Sequence, residues 1–510
     1  MELGLENIPS LAILSFFLFL FMVLSIVLRS KTKPSNSKLP PGPPKLPLIG
    51  NMHQLGAMPH HSLAKLAQKY GPLMHMKLGG ISTIVVSSPQ MAKEVMKTHD
   101  IIFANRPLIV AADVITYGSK GMSFSSYGSY WRQMRKICTF ELLTPKRVES
   151  FQSIRKEEAS NLIKEISLNE GSPINLSKTI NSLSCGLASR VALGGKSKDQ
   201  EAFIAVMRDV MKVIAGFSIA DLYPSIEVLQ FLTGIRSKAE KLHQEIDRIF
   251  EKIVRDHRDM SSETKAMDEK VGVDLVDVLL KLQKQNNLEH PLSDSIIKGT
   301  ILDMFAGGSG TSAKTIEWAI SELVKNPRVM ERTQDEIRMV FNGKGHVDEA
   351  KLHELKYLKK YEPIKETLRL HKPFPLLIPR ESSERCEING YEIPAKSKVI
   401  VNAWEIGRDP NHWIEAEKFN PERFLDSSVD YKGSDFQFIP FGAGRRMCPG
   451  ITFGIANVEL LLANLLFHFD WKMPNRDKPE ELDMTESFGL TVRRKHDLYL
   501  VPSMYHSSAN

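Results

Sequence analysis

The residues with most chemistry to offer lie in one run, Pro440-Phe441-Gly442-Ala443-Gly444-Arg445-Arg446-Met447-Cys448-Pro449-Gly450. A cysteine sits in a glycine-rich loop just after two arginines, and an apolar, helix-like stretch from Ile451 to Phe467 follows directly. Glycine lacks a Cβ, so such a loop can fold closely against a flat ligand. Arginine grips anionic groups with two parallel hydrogen bonds. A cysteine thiolate is a soft metal ligand. Most lone cysteines are buried structural residues, but this spacing of glycines and arginines points to a thiolate ligand at Cys448.

A second constellation is Ala306-Gly307-Gly308-Ser309-Gly310-Thr311, with three glycines in the middle of a helix-like stretch from Ile296 to Leu323. Each glycine costs about 1 kcal/mol relative to alanine inside a helix. Close approach of a ligand to the backbone, or tight helix packing, would offset that loss. The Thr311 hydroxyl can bond the carbonyl four residues back and open the ladder. Lys314 follows one turn later, an unusual residue for such a groove. Glu366 and Arg369 stand three apart and share a helix face, as do Trp131 and Arg135, four apart.

These residues need a large scaffold. The chain has 510 residues with no linker evident inside 51–502, so it reads as one domain enclosing a buried cofactor, residues 51–510. The net charge of +7 is spread out, and Arg493-Arg494-Lys495 is too short to argue for nucleic acid. The four cysteines are far apart, which gives no disulfide framework and fits a reducing compartment. Leu11 to Leu28 is uncharged and, with Ile8 to Ser10, approaches a bilayer span. Acidic residues precede it and Arg29, Lys31, Lys33 and Lys38 follow, so residues 1–30 read as a retained single-pass anchor with the rest of the chain cytosolic. The proline-dense residues 31–50 read as a stiff connector.

Hairpins are expected at Tyr70–Ser88, with Met74–Leu78 and Ile81–Val86 flanking Gly79-Gly80, and at Cys386–Val401 around Asn389-Gly390. Helical periodicity marks 90–99, 128–142, 147–167, 198–216, 236–258, 274–284, 294–325, 327–341 and 450–467. The fold class is therefore mainly α with small β-sheets.

Phe441, Gly444, Arg446, Cys448 and Gly450 match Phe-x-x-Gly-x-Arg-x-Cys-x-Gly, and the run resembles the haem-binding signature of the cytochrome P450 family. Residues 306–311 resemble that family's oxygen-binding groove, and Thr311 matches its proton-delivering threonine, but Gly310 stands where the family carries an acid. Glu366 and Arg369 match its Glu-x-x-Arg, and Arg423 the arginine completing that network, which should lock the Cys448 loop. Lys360-Tyr361-Glu362-Pro363 looks two residues longer than the pattern, and Lys372 replaces a proline; a kinked helix or a weakened fold is expected there. Tyr70–His75, Thr98–Asp100, Tyr130–Lys136 and Ile388–Pro394 look like plant family 71, nearest its D subfamily.

The resemblance implies the P450 fold behind an N-terminal transmembrane helix, in the endoplasmic reticulum membrane. It implies haem b with Cys448 as the axial iron ligand, alongside Phe441, and Trp131, Arg135, Arg380 and Arg446 on the propionates. Electrons would come from NADPH through NADPH–cytochrome P450 reductase, docked near Arg132, Lys136 and Arg445, and O2 would be the oxidant. The substrate-contact positions implied are Ile115, Phe124, Ala306, Gly307, Phe374, Leu376, Leu377, Ile378, Phe488 and Leu490. None is charged, which points to a neutral lipophilic molecule, a terpenoid or flavonoid first. Two other readings stay open. Gly310 would suit a haem-thiolate enzyme that rearranges, dehydrates or cyclises its substrate, and Pro363, Lys372 and Gly310 together would suit a decayed binding protein.

Overall fold

The computed structural model describes residues 38–195, 200–263, 274–342, 345–359, 362–476 and 478–506, together with Phe17. The apolar span expected at 11–28 and the connector up to residue 37 lie outside the described residues, apart from Phe17. In chain order the elements that position the site are α1 (Pro59–Tyr70), β1 (Leu73–Leu78), β2 (Ile81–Val86), α2 (Ser129–Cys138), α3 (Leu176–Leu193), α4 (Gln200–Val213), α5 (Asp294–Lys325), α6 (Glu362–Leu370), β3 (Arg380–Glu381), β4 (Cys386–Ile388), β5 (Tyr391–Ile393), β6 (Lys398–Val401), α7 (Ile451–His468), β7 (Glu486–Ser487) and β8 (Arg493–Arg494).

The first expected hairpin forms as β1 and β2, antiparallel from Leu73 opposite Val86 to Leu78 opposite Ile81. The second is shorter than its sequence suggests. β4 pairs with β5 across Asn389-Gly390, both at positive φ, the backbone that a two-residue hairpin turn requires. Residues 398–401 leave that hairpin. β6 runs parallel to β2 and antiparallel to β3, giving a four-stranded sheet in the order β1-β2-β6-β3. All four residues of β6 are buried, and burial on both faces erases the alternation that marks a half-exposed strand.

α5 is a single unbroken helix of 32 residues, capped at its start by the Ser293 hydroxyl, which accepts from Ile296 N at 3.4 Å. It lies between α3 and α7, and Ile316, Ile320 and Leu323 pack in one core with Leu183 and Leu187 of α3 and Leu461 and Leu465 of α7. The sequence periodicity passes over α3. Its residues are buried almost all round, from Leu176 to Leu193, and a helix buried on every side has no polar face to reveal its period. α7 is apolar enough by length and composition to cross a membrane, yet it is a core helix, 67% buried inside the domain.

The helix expected at 90–99 is α-helical only over Pro89–Lys93 and widens into a π turn at Glu94–Thr98. The one expected at 128–142 ends similarly, α2 giving way to a π turn at Thr139–Leu143. Pro363 falls in the first turn of α6, where a proline is tolerated, so α6 is not kinked; Lys360 and Tyr361 lie outside the described residues. Lys372 is buried just past the end of α6, and its ammonium donates to Arg369 O at 2.6 Å, capping the last turn. Burial holds its amine well below the ordinary lysine range, with the Arg408 and Arg369 charges adding to the effect.

The described part of the proline segment lies against the domain: His75 N donates to Pro41 O at 2.9 Å, and Asn51 Nδ2 to Pro44 O at 3.0 Å. There His75 shares a 3.0 Å hydrogen bond with the Ser82 hydroxyl across the hairpin. Burial, then the charges of Lys45 and Lys77, lower its pKa to about 4. The unfolded chain binds this proton near pH 6.5 and the folded one does not, so the stabilisation is complete above pH 6.5 and is lost as pH falls toward 4. The loss amounts to at most about 2–3 kcal/mol. His75→Gln should flatten the pH dependence of the thermal midpoint between pH 6.5 and 4; an unchanged slope would rule out His75 as its source.

Candidate active site

The cysteine run forms a tight loop. A 3₁₀ turn spans Gly444–Arg446, and Cys448 N donates back to Phe441 O at 3.0 Å. Gly444 has φ +69°, and a Cβ there would lie 2.1 Å from Met96 O, so only glycine fits. Asp100 clamps the same turn. Its carboxylate accepts from Arg445 N at 2.9 Å and pairs with Arg380 at 3.4 Å.

Between this loop and α5 lies a cavity of about 250 Å³. Phe441, Cys448 and Gly450 line it from the loop, and Gly307, Gly308 and Thr311 from α5. The accessible surface of Cys448 faces this cavity, deep inside the molecule. Burial pushes the Cys448 thiol up, against the opposing pull of the Gly450 N–H and the Arg135 charge.

The α5 ladder stays closed at the glycines. The Thr311 hydroxyl donates to Gly307 O at 2.6 Å without opening the turn. The three glycines have different surroundings. A Cβ on Gly307 would meet nothing within 4 Å, one on Gly308 would meet Phe453 at 3.3 Å, and one on Gly310 would meet the Lys314 ammonium at 3.1 Å. Ligand space, helix packing and a lysine thus account for one glycine each.

Arg135, Arg380 and Arg446 all line the cavity. Arg446 donates to Ala104 O at 2.7 Å and to Ser125 O at 2.6 Å, and its guanidinium lies 4.5 Å from the Trp131 ring. Burial lowers its pKa to about 9, followed by the nearby charges of Arg380 and Arg135. Trp131 spends its indole N–H on Met122 O at 3.0 Å. Arg132 and Arg445 approach the Tyr127 ring, each 5.8 Å from its centre, and both are exposed with Lys136.

Of the expected substrate contacts, Gly307, Phe374, Leu377 and Ile378 line the main cavity. Ile115 and Phe124 do not; they pack in the core. Leu376, Phe488 and Leu490 surround a small neighbouring void. Ala306 is turned about 100° from Gly307 by the helical period and lines a third cavity beyond α5. Sequence reasoning missed Asp100 and two charged groups of the cavity wall, Arg106 and Asp303. Asp303 accepts from Ser123 N at 2.9 Å, and Arg106 donates to Ser123 O at 3.0 Å and to Ile378 O and Pro379 O at 2.8 Å each. Burial raises the Asp303 pKa to about 6. The one available signal was Gly121, where a Cβ would lie 2.4 Å from the Asp303 carboxylate.

Glu366 and Arg369 are fully buried and paired by two bonds of 2.7 Å. Arg423 Nε and Asn420 N also donate to Glu366, at 3.1 and 2.9 Å. Arg369 reaches on to Gly407 O and Ala416 O, both at 2.6 Å. The network thus holds residues 407–424. It reaches the cysteine loop at one remove, through the Phe424 ring, which lies 5.2 Å from that of Phe438 and is tilted 45° to it.

Residues 40–501 match the family description Cytochrome P450, and the chain belongs to that family. It is a haem-thiolate monooxygenase of plant family 71. It is 54% identical to cytochrome P450 71D10 of Glycine max, over 98% of this chain and 99% of that protein. It is 51% identical to tabersonine 16-hydroxylase 1 of Catharanthus roseus, over 97% of this chain and 99% of that one. A zebra fish cytochrome P450 structure with progesterone superposes with TM-score 0.74 at 24% identity, over 87% of this chain and 99% of the other, and so shares the fold.

The cavity fits a haem. It offers a thiol, an open glycine face on α5, and three arginines whose mutual repulsion calls for anionic groups such as propionates. Glu366→Gln should leave Arg369 and Arg423 buried without a carboxylate, at a cost of about 3–5 kcal/mol. The expected result is a lower thermal midpoint and loss of haem on gel filtration. A variant that keeps wild-type haem content and midpoint would remove Glu366 from its supporting role.

Proposed function

We propose that this chain is a membrane-anchored monooxygenase that inserts one oxygen atom from O2 into a neutral, lipophilic plant specialised metabolite, a terpenoid or flavonoid first. The observation that carries this reading is the juxtaposition, across one cavity, of the Cys448 thiol with the open Gly307 face and the Thr311 hydroxyl. Cys448 would hold the iron of a haem, and Arg135, Arg380 and Arg446 would receive its propionates; the haem would supply oxygen activation, which a thiolate ligand favours. The protein residues orient and shield. Phe374, Leu377 and Ile378 present apolar surface to the substrate. Arg106 and Asp303 are both engaged with backbone groups, and the other cavity arginines, Arg135, Arg380 and Arg446, are assigned to the haem propionates rather than to substrate. Thr311 holds its proton on Gly307 O at 2.6 Å, from where a small rotation turns the hydroxyl into the cavity.

Two electrons per turnover would come from NADPH through NADPH–cytochrome P450 reductase, an acidic partner for the exposed Arg132, Lys136 and Arg445. Membrane attachment has support besides the N-terminal apolar run. Leu46, Leu48 and Ile49 are exposed, as are Ile226, Val228, Phe231 and Leu232, and Tyr223 links the two segments by donating to Leu48 O at 3.0 Å. An apolar patch of this kind suits the surface of the endoplasmic reticulum bilayer, with the domain on the cytosolic side.

The test uses the full chain in microsomes with reductase and NADPH. Terpenoids, flavonoids and tabersonine, the compound named for four relatives, are offered together. Mass spectrometry should find one compound gaining a single oxygen, only with NADPH. An isomeric or dehydrated product without added oxygen would instead favour the rearranging enzyme that Gly310 suggests. Thr311→Ala should then cut product formed per NADPH by about 100-fold, at the low end of what a positioned proton donor contributes. Unchanged coupling would show that Thr311 does not deliver the proton.

A further inference from the structure

Outside the main cavity, α1 and β7 bring three metal-ligating side chains together. His60 and His61 follow Pro59 in the first turn of α1, and Glu486 opens β7. His60 Nε2 and His61 Nε2 lie 3.0 and 3.3 Å from the same carboxylate oxygen, Glu486 Oε2. All three donor atoms fall within 4.8 Å of one another. Ligands held about 2.1 Å from a tetrahedral zinc ion stand about 3.4 Å apart. The two histidines and the carboxylate therefore already have the spacing of one coordination shell.

Their surroundings keep them in the forms that bind metal, a neutral imidazole and an ionised carboxylate. Burial lowers the His60 pKa. Burial works the other way on Glu486, yet the contacts with His60 and His61 hold its carboxyl well below the usual carboxylate range. The nearby cations are turned to other groups. Arg408 donates to Leu370 O at 2.8 Å and pairs with Glu417 at 3.1 Å, and Lys372 donates to Arg369 O. Among the described residues neither pairs with Glu486.

A second observation comes from the other carboxylate oxygen. Glu486 Oε1 faces His371 Nδ1 at 3.9 Å, too long for a hydrogen bond. His371 is only 9% exposed, and this nitrogen has no hydrogen-bond partner. His371 commits Nε2 to Glu322 at 2.6 Å and stacks its ring on Trp318 at 4.2 Å. A neutral His371 donating to Glu322 presents a bare lone pair toward the Glu486 carboxylate. A cation on that carboxylate relieves the repulsion between the two.

We propose that His60, His61 and Glu486 form a binding site for a divalent transition-metal ion, zinc first. Two imidazoles and one carboxylate suit zinc, whereas magnesium and calcium take oxygen ligands. His61 is partly exposed, so the ion can enter on that side and water can complete its shell. The ion would tie α1 to β7, beside Phe488, which packs on His60 and borders the small void next to the main cavity.

The test uses full-length, untagged, haem-loaded protein, freed of divalent metals with a chelator. Equilibrium dialysis against zinc, read by metal analysis, should find one saturable zinc per haem, unaffected by excess magnesium. His61→Ala should weaken that binding at least about 100-fold, since losing even a residue behind the ligands costs 10–100-fold. His353→Ala, at an exposed histidine elsewhere, should leave it unchanged. Zinc should also raise the thermal midpoint of the wild type and of His353→Ala, but not of His61→Ala or of Glu486→Gln. No saturable zinc would overturn the proposal. So would zinc binding, or a zinc-dependent rise in midpoint, that His61→Ala retains in full, which would mark adventitious binding at surface histidines.

Discussion

One buried carboxylate, Glu366, sets the constraint on which the cofactor side of the molecule rests. A carboxylate taken wholly out of water is costly unless its oxygens are filled with donors. Here Arg369, Arg423 and the Asn420 amide fill them. The donors come from α6 and from residues 407–424, segments that share no regular secondary structure. The pair therefore fixes an irregular stretch of chain that has no ladder of its own. Phe424 and Trp413 sit on that stretch and pack against Phe438, which leads into the cysteine loop. Asp100 holds the other end of the loop from outside. Cys448 is thus positioned by two carboxylates, neither of which touches it.

α5 works on both its faces. The 3.6-residue period turns Gly307, Gly308 and Thr311 to the main cavity and Ala306, Gly310 and Lys314 to the other side. A run of side chains, Ser309, Thr311, Lys314 and Thr315, bonds carbonyls four residues back. Those carbonyls already accept from the helix and so become shared acceptors, an arrangement that tends to loosen a helix rather than brace it. The helix stays continuous where its composition argues for a break.

Much of this was legible in the sequence because it is local. The glycine and cysteine spacing of 440–450, the Gly79-Gly80 turn and the three-residue step from Glu366 to Arg369 each rest on neighbours along the chain. What escaped was of two kinds. β6 is buried on both faces and α3 almost all round, so neither carries a clear alternation of polar and apolar residues to read. Asp100, Arg106 and Asp303 act through partners far away in sequence, such as Arg445 N and Ser123 N. An isolated aspartate or arginine in a chain rich in both carries no mark of such a role. The irregularities at Pro363 and Lys372 were visible, but their outcome was not. Pro363 falls at a helix start and Lys372 turns back onto a free carbonyl, so neither deforms the fold.

By itself the sequence determined the family, the mainly helical class and the turn chemistry of its hairpins, because motif spacing and periodicity are properties of the chain. The tertiary structure alone decided which apolar residues line the main cavity and which, like Ile115 and Phe124, are core. It also decided that His60 and His61 meet Glu486. These residues lie on two elements far apart in the chain, and only their packing sets which charges meet. Electrostatic cost depends on distance and burial, and a linear sequence records neither.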